Sequence, residues 1–227
     1  MKKRVILFIC ALLLFSLSMP YASAANSKIV FSKSNQQTKK IALTFDDGPH
    51  PRYTEKILSI LKKYNIKATF FVIGVNIENY PDELEQIYAE GHEIGNHSYS
   101  HATEKNFNDE SVREELKKCE DLIYNKIGIK PKLFRPPQGA YSANVERVAF
   151  NKGYSIVLWS IDTKDWAHNT PQSIMNIVSD NLRGGDVILM HDYTSGKNTT
   201  CEALEIMIPY LLEKGYEFVT VSELMEI

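Results

Sequence analysis

The sequence predicts an α/β protein: a parallel (β/α) barrel one unit short of eight, with a doubly wound open sheet as the structural alternative. Three observations lead there. Short runs rich in Ile, Val, Leu and Phe recur along residues 39–227 without polar alternation, as strands covered on both faces require. Amphipathic segments fill the gaps between them. Glycine and proline fall where helices should stop or start.

Taken in order, the strands are expected at Ile41–Phe45, Ala68–Ile73, His92–Gly95, Lys132–Phe134, Ser155–Trp159, Val187–Met190 and Glu217–Thr220. Pro81 suits the first turn of a helix, and Pro171 does so behind a Thr170 cap. Val112, Leu116, Cys119 and Ile123 repeat at i, i+4, i+7 and i+11, one face of a helix that Gly128 can close. Gly91, Gly153 and Gly215 mark further helix ends, and Pro209 is expected to kink the last long helix.

Ahead of this domain the chain reads differently. Lys2, Lys3 and Arg4 precede the apolar run Val5–Leu17, and Ala22-Ser23-Ala24 offers small residues where a signal peptidase cuts. Residues 1–24 therefore read as a cleaved signal peptide, and the protein as secreted or cell-wall associated. A retained anchor is the alternative, although the run is short for a span of about 20 residues. Residues 25–38 are polar without a sustained period and read as a linker or N-terminal arm.

The 227 residues are 44% apolar and 24% charged with net charge −2, which allows a substantial core and offers no basic tract for nucleic acid. Cys10 leaves with the signal. Cys119 and Cys201 permit one disulfide and require none, and Cys119 on its apolar stripe reads as a small buried hydrophobe.

The unusual polar residues collect just past the predicted strand ends. Asp46 and Asp47 follow the first strand, His97 and His101 the third, and Arg135 the fourth. Asp162, Asp165 and Trp166 follow the fifth, and His191 the sixth. That rim is where barrel active sites are built. His97 and His101 are four apart, so a helical turn would place both rings on one face. Two imidazoles and one carboxylate form a three-ligand metal site that leaves room for water. In a tight turn after an apolar strand, one of the two adjacent aspartates can bind metal while its neighbour faces the water as general base. Arg135, stiffened by two prolines, can hold a carboxylate bidentately. His191 suits a general acid opposite the base. No G-x-S-x-G elbow, complete phosphate loop or dinucleotide fingerprint is present. His50, His92 and His168 lack converging neighbours in the sequence. Tyr193, in "DYTSGKNTT", reads as part of a polar loop, with a sugar-facing role conceivable.

In order and at suitable spacing, "TFDDGP", "HSYSH", "RPPQG", "DTKDW" and "LMH" resemble the five motifs of the polysaccharide deacetylases, the NodB homology domain of carbohydrate esterase family 4. The match covers residues 39–227. The resemblance implies a distorted, seven-stranded (β/α) barrel with one divalent metal, Zn²⁺ or else Co²⁺ or Mn²⁺. It further implies removal of N-acetyl groups from amino-sugar polymers, here peptidoglycan or chitin-like oligomers; a monomer with no protein partner is expected. It casts Asp46 as base, Asp47, His97 and His101 as metal ligands, and Arg135 as the residue orienting the base. His191 becomes the acid and Asp165 the carboxylate raising its pKa. Pro137, Gln138, Trp166 and Leu189 become substrate contacts, Trp166 and Leu189 around the acetyl methyl. Gln138 stands where the family often has Tyr, whose backbone N–H helps hold the oxyanion. The alternatives are an O-acetyl xylan esterase, a carbohydrate-binding protein that has lost catalysis, and a purely structural wall protein.

Overall fold

The computed structural model describes residues 29–30, 38–102, 108–140, 142–196 and 198–226. Nine strands form one sheet: β1 (Ile29–Val30), β2 (Lys40–Asp46), β3 (Thr69–Val72), β4 (Glu93–Asn96), β5 (Leu133–Phe134), β6 (Ser155–Val157), β7 (Ile161–Asp162), β8 (Val187–His191) and β9 (Glu217–Val219). The spatial order is β1-β6-β5-β4-β3-β2-β8-β7, with β9 against the start of β2. Every pairing is parallel. Since β1 and β7 are edge strands, the barrel is distorted and open.

All seven expected strands are present. β1 and β7, at two residues each, were too short to carry a periodic signal. β1 lies in the segment read as an arm and pairs with Ile156 and Val157. The fifth expected strand, Ser155–Trp159, stops at Val157, and the chain restarts as β7 beside β8. Arg135 explains the break: its Nε and Nη2 take the carbonyls of Val157 and Leu158 at 3.1 and 3.0 Å.

The helices are α1 (Thr54–Lys63), α2 (Gly74–Asn79), α3 (Pro81–Ala89), α4 (Asp109–Ile127), α5 (Ala143–Asn151), α6 (Pro171–Asn181), α7 (Thr200–Glu213) and α8 (Val221–Met225). Asn108 caps α4 by accepting from Ser111 N, and Gly128 closes it in the left-handed region. Thr170 caps α6 in the same way. α7 runs through Pro209 as one helix.

The strands are apolar on both sides because each side meets a core. Ile41, Leu43 and Phe45 of β2 pack with Ile57 and Leu61 of α1 and Met207 of α7. Ala42, on the opposite side, joins Phe71, Leu133, Val157, Val187 and Val219. Each fully buried Leu, Ile or Phe side chain contributes about 1.5–3 kcal/mol to this packing. The two cysteines among the described residues are free thiols, Cys119 buried and Cys201 half-buried. No described helix is long and apolar enough to cross a membrane, and residues 1–24 lie outside the described part.

Candidate active site

Strand register assembles the site. Asp46 pairs with His191 across β2–β8, and Asp162 with Leu189 across β7–β8. Asn96 pairs with Phe134 across β4–β5, so the next residues, His97 and Arg135, leave the sheet together. A cavity of about 390 Å³ lies over these strand ends, lined by Asp46, Asp47, His97, His101, Gln138, Trp159, Asp162, Trp166, Leu189 and His191.

The adjacent aspartates diverge. Asp46 ends β2 and is 3% exposed, whereas Asp47 turns into the left-handed region at φ 74°. Arg135 Nη1 donates to Asp46 Oδ1 at 2.6 Å and also to Thr44 Oγ1 at 2.8 Å. The expected two-pronged grip on the carboxylate is therefore not made. Nε and Nη2 are occupied by the Val157 and Leu158 carbonyls, leaving one nitrogen for Asp46. The guanidinium is wholly buried, 4.1 Å from the Phe71 ring centroid.

Asp47, His97 and His101 converge, their ligand atoms all within 4.8 Å of one another. The expected helical turn is absent. Residues 97–101 form a loop with Ser98 and His101 in the left-handed region, and this loop brings the two ring centroids to 5.0 Å. Glu115 of α4 clamps the loop, accepting from Tyr99 N, Ser100 N and Ser100 Oγ at 3.0, 2.8 and 2.9 Å. Its spacing carries no signal in the sequence.

These three residues fit a divalent cation. Asp47 Oδ1 is a buried carboxylate oxygen with no hydrogen-bond partner, 3.5 Å from His97 Nε2 and 3.3 Å from His101 Nε2. Ligands at about 2.0–2.1 Å around a tetrahedral centre stand about 3.4 Å apart. His97 donates from Nδ1 to the Arg135 carbonyl at 2.7 Å, which commits Nε2 to the cavity as a ligand atom. Burial works against a charged His97 ring, but Asp46 and Asp47 overcome it and raise the pKa. Burial also works to raise Asp47, yet His97, aided by His191 and His101, holds it below the ordinary carboxylate value.

Across the cavity, His191 Nδ1 donates to Asp165 Oδ1 at 2.8 Å. Asp165 is 1% exposed, and its Oδ2 accepts from His191 N and Thr200 Oγ1, both at 2.8 Å. Burial disfavours the imidazolium, but the Asp165 hydrogen bond and charge outweigh it and push His191 up to about 9. Asp162 has a different partner: its Oδ1 accepts from Lys164 N and from the Trp166 indole N–H at 2.8 and 3.3 Å.

Among the expected substrate contacts, Gln138, Trp166 and Leu189 line the cavity and Pro137 does not. Pro137 is buried at the start of a short 3-10 segment, and the left-handed Gln138 after it reaches the cavity instead. Trp159 is a wall residue that no motif had marked. It packs over Gly139, where an added Cβ would meet its ring at 2.7 Å. His92 lies away from the site, accepting from Ala68 N, and burial pushes its pKa down to about 4.

The family profile for polysaccharide deacetylase matches residues 33–157. The chain belongs to the polysaccharide deacetylase family. It is 42% identical over 189 residues to a peptidoglycan-N-acetylglucosamine deacetylase of Bacillus cereus, spanning 82% of this chain and 88% of that one. The crystal structure of the Bc1960 peptidoglycan N-acetylglucosamine deacetylase superposes with a TM-score of 0.83 at 39% identity, covering 86% of this chain and 92% of the other. A family 4 pseudoenzyme from Bacillus anthracis superposes at 0.81 with 30% identity, over 88% and 69% of the two chains. A family 4 acetyl xylan esterase from Clostridium thermocellum, in complex with a cobalt ion, does so at 0.77 with 36% identity, over 82% and 90%. Since the fold is shared by active proteins and a pseudoenzyme, the side chains of this polysaccharide deacetylase carry the functional argument.

Proposed function

We propose that the protein is an exported, metal-dependent N-deacetylase that hydrolyses the N-acetyl groups of peptidoglycan amino sugars to free amine and acetate. One observation carries this reading. A single cavity holds the Asp46 carboxylate, whose Oδ2 is not engaged by Arg135 and lies 3.6 Å from His97 Nε2, beside a metal-ligand triad, and an imidazole with a raised pKa on the partner strand.

Asp47, His97 and His101 would hold a divalent cation, which would supply Lewis-acid polarisation and lower the pKa of a water toward ~7. Arg135 engages Asp46 Oδ1, leaving Oδ2 to accept the proton of the attacking water. His191 uses Nδ1 on Asp165, so Nε2 carries the proton delivered to the departing nitrogen as the C–N bond breaks. The backbone N–H of Gln138 donates to the carbonyl oxygen as negative charge develops there. Leu189 and Trp166 shield the acetyl methyl.

A second reading, O-acetyl ester hydrolysis on xylan, draws on the likeness to the acetyl xylan esterase. Acetate release from peptidoglycan, chitin oligomers and acetylated xylan, assayed side by side, separates the two. Acetate from xylan alone would overturn the deacetylase reading, and acetate from none would favour a binding protein. Export predicts a mature N-terminus near Ala25, readable as an intact mass from the culture medium or wall fraction.

A further inference from the structure

The loops that follow β2 and β8 also build an aromatic cluster outside the cavity. The His50 ring stacks on Tyr193, with centroids 4.8 Å apart and planes 15° from parallel. Tyr53 and Tyr80 flank His50 at 5.0 and 5.8 Å. His50 follows Asp47 by three residues and Tyr193 follows His191 by two, so the cluster borders the catalytic rim. With His50 against its ring, Tyr193 remains 38% exposed.

A buried polar chain joins the two loops. His50 N donates to Thr54 Oγ1 at 2.8 Å, and Thr54 Oγ1 donates to Asp192 Oδ2 at 2.6 Å. Asp192 N in turn donates to the Asp46 carbonyl at 3.1 Å. Gly48 lets the loops close, because an added Cβ there would lie 1.9 Å from Asp192 Oδ2. The Asp192 carboxylate bonds no side chain assigned to the chemistry, yet the residue is 1% exposed. A buried carboxylate is costly unless it is paired and hydrogen-bonded, and Thr54 satisfies Oδ2 while Oδ1 has no hydrogen-bond partner. Here it ties the His50 loop to the Tyr193 loop.

We propose that the His50–Tyr193 stack is a platform for a pyranose ring of the same glycan chain, next to the residue held in the cavity. A pyranose presents an apolar C–H face, and a rigid tyrosine ring with one face backed by a neighbour and an exposed surface suits it. A polymer must also be gripped beyond the reacting residue, and the cavity's lining lacks these four aromatic rings. This inference rests on the carbohydrate reading above. The test measures binding separately from turnover, using calorimetry of Asp46→Asn protein with N-acetylglucosamine disaccharide and hexasaccharide. Tyr193→Ala should weaken hexasaccharide binding roughly three- to tenfold and reduce its advantage over the disaccharide. Tyr193→Phe should preserve that advantage, and Tyr88→Ala, an exposed tyrosine on α3, should leave it unchanged. Equal loss for both ligands, no loss in Tyr193→Ala, or no chain-length advantage in the parent would overturn the platform. Absence of acetate release by the wild-type enzyme, with binding intact, would instead count against the deacetylase reading.

Discussion

Asp46 and His191 are register partners across the β2–β8 ladder. The sheet itself therefore spaces the two groups that the proposed mechanism uses as proton acceptor and proton donor. Adjacent parallel strands are held about 4.7–4.9 Å apart by backbone hydrogen bonds, a more rigid tether than two loops. For Asp46→Asn we expect retained metal with turnover reduced about 10²–10⁴-fold, since the proton acceptor is lost while the ligand triad remains. Metal stoichiometry and acetate release on the same sample check this, and loss of metal would mean that the roles of Asp46 and Asp47 are exchanged.

Chelation should abolish activity and Zn²⁺ or Co²⁺ should restore it. His97→Ala should lose the ion, while His92→Ala should keep it because His92 bonds Ala68 N away from the triad. Glu115→Ala should weaken metal binding without removing a ligand, since it releases three hydrogen bonds holding the His97–His101 loop. Losing a contact that orients metal ligands costs about 10–100-fold in affinity. Full activity in metal-free protein would refute the metal site.

Asp165→Asn should move the alkaline limb of the pH–rate profile to lower pH. His191 must be protonated to donate, and Asp165 raises its pKa to about 9 against the lowering effect of burial. Removing that charge lets burial dominate, so the imidazolium is lost earlier as pH rises. A bound divalent cation also offsets the raising influence of Asp46 and Asp47, so the limb in the loaded enzyme should lie below 9. Asp162→Asn should leave the limb in place, and a limb that follows Asp162 would refute the pairing.

Asp162→Ala should act on substrate affinity. Its carboxylate accepts from the Trp166 indole, and Trp166 is 51% exposed at the cavity lip. Without that anchor the ring gains rotamer freedom, and KM should rise several-fold with kcat nearly unchanged, by roughly 1 kcal/mol for one hydrogen bond. Asp162→Asn keeps an acceptor oxygen and should largely rescue KM. A fall in kcat alone would contradict this role.

Arg135→Met should destabilise the fold by about 3–5 kcal/mol, because it removes the guanidinium partner of the buried Asp46 carboxylate. It also abandons the Val157 and Leu158 carbonyls, which the guanidinium alone satisfies among the described side-chain contacts. Thermal denaturation of metal-loaded protein reads this directly, and an unchanged midpoint would show that the β6 break does not depend on Arg135.

By itself the sequence determined the seven main strands, the rim on which the functional residues gather and the ligand types there. Such features are local: an apolar run, a Gly-Pro stop, an Asp pair after a strand. Tertiary structure alone decided who meets whom. Asp165 reaches His191 across 26 residues, while Asp162, equally plausible in the chain, turns to Trp166. Arg135 meets Asp46 across 89 residues and spends its other nitrogens on β6, which ends the strand early and limits its grip to one contact. His97 and His101 converge through left-handed loop residues rather than a helical turn, because Glu115 of a later helix supplies the clamp. His50, without partners in the linear reading, gains Tyr193 only when β2 and β8 lie side by side. Register and the competition of distant groups for the same hydrogen bonds are properties of the assembled sheet, and no spacing along one chain segment encodes them.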